Sequence, residues 1–320
     1  MDKFLSCDWG TSSFRLRLVL ADSLVVIAEV KNPRGIAATH NSWQQSGHPV
    51  GREAFYISII QQQIKLLSAQ VSIPLHDIPV VLSGMASSTI GLVELPYKKM
   101  PFSLDGSDLE VKVFDAGKDT NPIIIISGAC TADDVMRGEE TKTVGCAEYL
   151  TGNERDKLLI MPGTHPKHIT VSGNYVTGIN TCMTGELFDL LATKSILSAS
   201  VEAGGNINET ANRESFTAGV NAGLQDNLLH AAFMVRTNQL LKQMPKQQNF
   251  HYLSGLLIAS ELKDIDTSRT IYLMGAAAQL SLYELACSIA GIRITAHIDA
   301  DKALIKGQKG IFSRYYGLST

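Results

Sequence analysis

Two stretches far apart in the chain repeat one design, and that repeat limits the fold more than any other feature. Residues 4–20 read FLSCDWGTSSFRLRLVL: an apolar run reaches Asp8, Gly10, Thr11, Ser12 and Ser13 make a turn, and a second apolar run returns with Arg15 and Arg17 interleaved. Residues 158–171, LLIMPGTHPKHITV, do the same around Pro162, Gly163, Thr164, His165 and Pro166, with Pro162 near the place of Asp8. Each predicts strand, tight turn, strand, glycine supplying the unusual dihedrals. Such a turn can wrap backbone N–H groups around an anionic oxygen, and Asp8 stands at a strand end where a hydrated metal ion needs a carboxylate. Taken alone, the first stretch reads more readily as an ordinary hairpin with an exposed Asp. Its recurrence implies two similar domains facing one cleft.

A length of 320 residues suits two domains of ordinary size. The formal charge of -3 provides no basic field, so nucleic acid is not an expected partner. Pro122 to Ser127 is the most concentrated aliphatic run; it is far too short for a bilayer and reads as a fully buried strand. Asp2, Lys3 and Asp8 interrupt the N-terminus before an export signal could develop. Cys7, Cys130, Cys146, Cys182 and Cys287 are odd in number and contain no CxxC pair, which fits free thiols in a reducing cytoplasm and indicates neither zinc nor a disulfide framework. No GxxxxGK[ST] or GxGxxG run supports a P-loop or dinucleotide site.

Along the chain, a third strand is expected at residues 24–30, then a loop through Asn32, Pro33, Arg34 and Gly35, and a helix over 51–70 with Ile57, Ile60, Ile64 and Leu67 on one face. Val80–Leu82 reads as a buried strand ending in Ser83, Gly84, Met85, Ala86, Ser87 and Ser88, small residues where open α/β sheets place ligands; a plain turn explains them as well. Residues 91–121 read as surface structure with a strand at Val111–Phe114, and a domain boundary is expected at the isoleucine run. Asp133 and Asp134 suit a helix start, while Arg137, Gly138, Glu139 and Glu140 cluster before a helix running toward Leu150. Thr184, Gly185 and Glu186 open a helix with Leu187, Leu190 and Leu191 spaced for burial. A polar loop over 201–215 and helices over 216–243 and 250–262 should follow, then a strand, a turn at Gly275 and Ala276, and a helix. That small-residue turn can accept the face of an adenine ring, and it is also an ordinary crossover. Ala303, Leu304 and Ile311 share a helical face near the C-terminus, a reading that Gly307 and Gly310 weaken.

The runs CDWGTSSFRLRL, VMRGEETKTVG, MPGTHPKHI, TCMTGELFDLL, SFTAGVNAGL and YLSGLLIASEL together resemble the acetate and sugar kinase, heat-shock protein and actin superfamily, and within it the 2-dehydro-3-deoxygalactonokinase family. The resemblance covers nearly the whole chain. It implies an α/β protein of two ribonuclease-H-like domains with mixed central sheets, 1–122 and 123–320, flanking a cleft, with residues 301–320 packing back on the first. It also implies ATP-dependent phosphorylation of 2-dehydro-3-deoxy-D-galactonate on its terminal 6-hydroxyl, with Mg2+ held by Asp8. Gly10, Thr11, Ser12, Gly163 and Thr164 would enclose the phosphates, with His165 in the turn and Arg15 and Lys167 neutralising charge. Gly275 and Ala276 would take the adenosine. Family members place the base at a helix start in the second domain, which points to Glu139 and then Glu140. The acid would meet Gly35, Gly84, Met85, Ala86, Ser87, Thr184 and Glu186, with Arg34 or Arg137 on its carboxylate. The family's second hairpin carries a tryptophan where this chain has His168, and here Pro166 precedes Lys167. A kinase for another sugar or sugar acid, a phosphohydrolase of the superfamily and a non-catalytic sugar-acid sensor are the alternatives. A homodimer is compatible with the sequence.

Overall fold

A computed structural model of the chain describes residues 2–117, 120–152 and 155–315. Its internal contacts divide it into two compact units: Met1–Asn153 with Ser172–Ile179 and Ala300–Thr320, and Glu154–Val171 with Asn180–Asp299.

The first unit begins with β1 (Lys3–Trp9), β2 (Phe14–Leu20) and β3 (Val26–Asn32), then α1 (Ile36–Gln45), α2 (Arg52–Val71) and β4 (Val80–Gly84). Short strands follow at β5 (Lys98–Lys99), β6 (Phe102–Ser103), β7 (Val111–Phe114), β8 (Ile123–Ile126), β9 (Ala129–Cys130) and β10 (Val135–Met136), and then the helices α3 (Glu139–Gly145) and α4 (Ala147–Leu150). The main sheet runs β3-β2-β1-β4-β8-β7. Its first three strands pair antiparallel, and β1, β4 and β8 run parallel. An antiparallel meander continued by parallel strands on its first strand is the ribonuclease-H-like arrangement expected from the sequence. Alternation in β1 sends Leu5, Cys7 and Trp9 into a core with Leu16, Leu18 and α2's Tyr56, Ile60, Ile64 and Leu67, while Ile57 is only partly buried there.

Ile123–Ile126 pairs in register with Val80–Leu82 and belongs to this sheet. Four successive buried apolar residues mark a strand covered on both faces, hence an interior strand and not a linker. The first division between the units therefore falls at 153/154, not at the expected 122/123, and the RGEE segment lies in the first unit.

The second unit contains β11 (Lys157–Met161), β12 (Lys167–Ser172) and the end of β13 (Tyr175–Thr181). Helices α5 (Thr184–Lys194), α6 (Thr210–Gln225), α7 (Leu228–Lys242) and α8 (Lys246–Leu262) come next, then β14 (Thr270–Gly275), α9 (Ala277–Ile289) and β15 (Ile294–Asp299). β11 is antiparallel to β12 and parallel to β14, and β14 is parallel to β15, which repeats the first unit's pattern. Residues 172–179 count with the first unit, where Tyr175 and Val176 pair with Ser103 and Phe102. Leu158, Ile160, Leu273, Phe216, Ile258 and Tyr283 are among the residues that fill the second core.

Where two helices were expected over 216–262, three form. The chain breaks at Asp226, and Asn227 starts α7 by accepting hydrogen bonds from the Leu229 and His230 amides at 3.0 and 3.3 Å. α6 begins at Thr210, inside the expected loop. In α5 no residue is fully buried, and Leu190 is exposed.

The last helix, α10 (Ala300–Tyr315), belongs to the first unit; the end of the expected 301–320 segment, residues 316–320, lies outside the described residues. It packs on α3 so closely that a Cβ on Gly307 would lie 1.9 Å from the Thr141 carbonyl oxygen. The glycine that weakened the helix reading is the one that lets the two helices meet. Phe312 stacks on Phe4, and Gln308 Nε2 donates to the Cys7 carbonyl at 2.9 Å. Among the described residues, no helix is long and apolar enough to cross a membrane.

Candidate active site

In the first unit, the Gly10 amide donates to the Ser13 carbonyl at 3.0 Å and closes the turn. The start of α1 holds that turn from behind: the amides of Ile36 and Ala37 donate to the Gly10 and Thr11 carbonyls at 2.9 and 3.1 Å. Gly35 is buried there, and a Cβ on it would lie 2.2 Å from the Thr11 carbonyl oxygen. The Gly10 amide is already bonded, which leaves the exposed Thr11–Ser13 segment free to face an anion, and buried Gly35 packs against the turn. Arg34 beside it is exposed, its own amide bonded to Asn32 Oδ1.

Asp8 is half-buried at the end of β1, level with Ser83 of β4. β4 ends in Gly84 at φ +100°, where a Cβ would lie 2.8 Å from the Trp9 carbonyl oxygen and 3.6 Å from Asp8 Oδ1. Gly138, at φ +110°, packs on Gly84 Cα, so the RGEE turn sits on the strand end beside Asp8. Within that turn the Arg137 amide donates to Glu139 Oε2 at 3.0 Å, and the Gly138 amide donates to both Glu140 oxygens, at 2.9 and 2.7 Å. Arg137 Nη1 donates to the Ser87 carbonyl and hydroxyl, each at 2.6 Å, and the guanidinium lies 4.1 Å over the Tyr97 ring. Asp8, Gly84–Ser87, Arg137, Glu139 and Glu140 are thus gathered at the carboxyl ends of parallel strands, where open α/β sheets bind ligands.

The two glutamates differ in environment. Glu140 is fully buried, and burial first, then the charge of Glu139, pushes its carboxyl up to about 8. Glu139 is partly exposed, as a group must be to meet a substrate hydroxyl. Arg15 is drawn away from the role expected of it: its Nη1 donates to both Asp301 oxygens at 2.8 Å, and Arg17 joins the same carboxylate at 2.8 Å.

The second unit repeats the support of the hairpin. The Glu186 amide donates to the Thr164 carbonyl at 3.0 Å, and a Cβ on Gly185 would lie 2.4 Å from the Gly163 carbonyl oxygen. Gly185 thus occupies the role of Gly35. Thr184 and Glu186, expected beside the sugar acid, sit at this hairpin. Glu186 Oε2 lies 2.5 Å from His165 Nε2, and the Thr184 hydroxyl donates to Glu261. Lys167 is buried with Nζ 3.5 Å from the His165 carbonyl oxygen. Because β14 runs parallel beside β11, the Gly275–Ala276 turn emerges at the same strand ends; a Cβ on Gly275 would lie 3.7 Å from Pro162 Cδ. Ala276, Ala277 and Ala278 are exposed, a small-residue surface fit for a flat ring.

Sequence reasoning missed Glu261. It is an acidic residue on the apolar α8, and its side chain is only 1% exposed. Among the described residues no three His, Cys, Asp or Glu side chains form a metal-holding group. A single carboxylate such as Asp8 suits magnesium, which keeps waters and takes its other ligands from phosphate oxygens.

The model of a family described as 2-keto-3-deoxy-galactonokinase matches residues 8–311 of the chain. The chain belongs to this family. It is 32% identical over 318 residues to a protein of Rhizobium meliloti (strain 1021) assigned as a 2-dehydro-3-deoxygalactonokinase, which covers 95% of this chain and 94% of the relative. With the 2-dehydro-3-deoxygalactonokinase of Escherichia coli (strain K12) it shares 32% identity over 244 residues, 73% of this chain and 78% of that one. A crystal structure from Sinorhizobium meliloti, of a protein assigned the same activity, superposes with a TM-score of 0.80 at 30% identity over 99% of this chain and 98% of that one. A 2-keto-3-deoxy-galactonokinase is a phosphotransferase that acts on an alcohol group of a sugar acid, in the breakdown of galactonate. The mixed sheets of both units fit the sugar-kinase fold.

Proposed function

We propose that the chain transfers the γ-phosphoryl group of ATP to the 6-hydroxyl of 2-keto-3-deoxy-D-galactonate, with the acceptor groups in the first unit and the nucleotide groups in the second. The observation that carries the residue assignment is the meeting of Asp8, Glu139 and the Ser87-anchored Arg137 at the ends of β1 and β4.

Glu139 receives the hydroxyl proton as the substrate oxygen bonds to the γ-phosphorus, and the bond to the β-phosphate oxygen breaks with its electron pair leaving on ADP. Asp8 would hold magnesium, which would neutralise charge on the phosphate oxygens. Within the first unit Thr11 and Ser12 are the groups suited to phosphate oxygens; within the second, Gly163, Thr164, His165 and Lys167 are, and Gly275 and Ala276 suit the adenosine. Arg137 and Arg34 are the cations of the first unit for the acid's carboxylate, and Gly84–Ser87 line its approach. The free cysteines suit a reducing cytoplasm.

A coupled ADP-release assay over a panel of 2-keto-3-deoxy sugar acids tests the reading. Turnover is expected with the galacto acid and magnesium, and phosphorus NMR should place the new ester on the terminal carbon. ATP hydrolysis that ignores the sugar acid would make the chain a phosphohydrolase, and acid binding without turnover a sensor.

A further inference from the structure

One buried carboxylate in the second unit bonds to three segments that adjoin the turns to which the nucleotide reading assigns a role. Glu261 Oε1 lies 2.8 Å from Nε2 of His168, the second residue of β12 after the hairpin turn. Glu261 Oε2 accepts from the Thr184 hydroxyl, at the start of the helix that lies against Gly163, and from the Tyr283 hydroxyl at 2.7 Å, on the helix that follows the Gly275–Ala276 turn. Three donors meet two oxygens on a side chain that is 1% exposed, and the partner imidazole of His168 is 6% exposed. Burial and the adjacent Glu261 push the Tyr283 hydroxyl well above its ordinary range, so it remains a donor.

A lone carboxylate in such a place would be strongly unfavourable; with its donors it fixes three otherwise separate segments relative to one another. We infer that Glu261 is a positioning residue for nucleotide binding, locking β12 just after the 162–166 turn, the start of α5 and the middle of α9 into one rigid platform. This inference rests on the nucleotide reading of the second unit. Glu261 touches no substrate; it acts through His168, Thr184 and Tyr283. Gly185 shows why the lock matters, because the contact between that helix start and the Gly163 carbonyl tolerates no extra atom.

The test compares Glu261→Ala with Glu261→Gln in the full chain. Gln keeps an acceptor for Thr184 and Tyr283 and offers its amide to His168 Nε2 in the tautomer protonated on Nδ1. Hydrogen exchange followed by mass spectrometry should show residues 158–168, 183–191 and 276–286 exchanging at least about tenfold faster in the Ala variant, while Gln stays within about threefold of wild type and residues 3–20 are unchanged. By calorimetry, Kd for a non-hydrolysable ATP analogue should rise at least about tenfold in the Ala variant with Kd for the sugar acid unchanged. Unaltered exchange in the three segments, or equal loss of both affinities, overturns the inference. If Glu261→Ala does not fold, Thr184→Val and Tyr283→Phe each delete one donor, and wild-type exchange in both overturns it. A wild-type protein that binds no ATP analogue overturns the nucleotide reading instead, and the exchange arm then decides whether the lock exists.

Discussion

Glu140 makes the protein's stability depend on pH in a direction opposite to that of most carboxylates. In the unfolded chain its carboxyl titrates near 4.5, and in the folded protein near 8, because the buried site penalises the charged form and Glu139 adds its own repulsion. Between those values the folded state keeps a proton that the unfolded state has lost. Its contribution to stability is therefore complete below about pH 4.5, falls as pH rises through neutrality, and is gone above about 8. Each pH unit in that window is worth about 1.4 kcal/mol for one full proton, so raising the pH from 6 to 8 should lower the unfolding free energy by roughly 2 kcal/mol through this residue. Glu140→Gln removes the titration and keeps an oxygen for the Gly138 amide. Urea unfolding of both proteins at several pH values isolates the effect, since the histidines cancel in the difference. The variant should gain on wild type steadily from pH 6 to 8. A difference that stays constant over that range would mean that Glu140 is ionised in the folded protein, and the account of the buried pair would be wrong.

Four further outcomes follow from the site. Glu139→Gln should lower kcat by about 100-fold or more with Kd for ATP unchanged in calorimetry, and wild-type turnover would remove Glu139 as the base. Asp8→Ala should abolish transfer at every point of a magnesium titration; unchanged activity would take the metal elsewhere. Gly185→Ala places a carbon 2.4 Å from the Gly163 carbonyl oxygen, so the hairpin or α5 must give way, at a cost of about 1–3 kcal/mol and with a raised KM for ATP but not for the acid. Gly307→Ala brings its carbon to 1.9 Å from the Thr141 carbonyl oxygen and should cost about 2 kcal/mol or more in urea unfolding, since neither backbone can yield alone.

Local pattern made the hairpins legible: a glycine-threonine turn between two apolar runs needs no distant partner, and the structure places both where expected. Helix α2 was legible for the same reason, through its 3.6-residue apolar period. What sequence reasoning missed was settled by distant partners. Ile123–Ile126 looks the same at a boundary and in the middle of a sheet until Val80–Leu82 is found beside it. Arg15 reads as a free cation until Asp301, nearly the whole chain away, takes it. Glu261 gives no signal at all until three donors from three other elements converge on it. The break before α7 was readable in principle, since Asn227 is a good helix cap.

The duplicated hairpin also explains how the two units can carry different side chains on one scaffold. Each turn is held by a following helix whose first amides take the turn's carbonyls and whose glycine, Gly35 or Gly185, permits the approach, so the support constrains the backbone and leaves the side chains free to differ. The first unit used that freedom for acids, Asp8 and, at the neighbouring strand end, Glu139 and Glu140; the second has Pro162 near the place of Asp8 and carries His165 and Lys167. Three ionised carboxylates together would repel both a triphosphate and a sugar acid. Burial answers this for Glu140, which holds its proton to about pH 8, and magnesium would answer it for Asp8. Glu139, partly exposed beside them, is the one of the two glutamates that a substrate hydroxyl could reach.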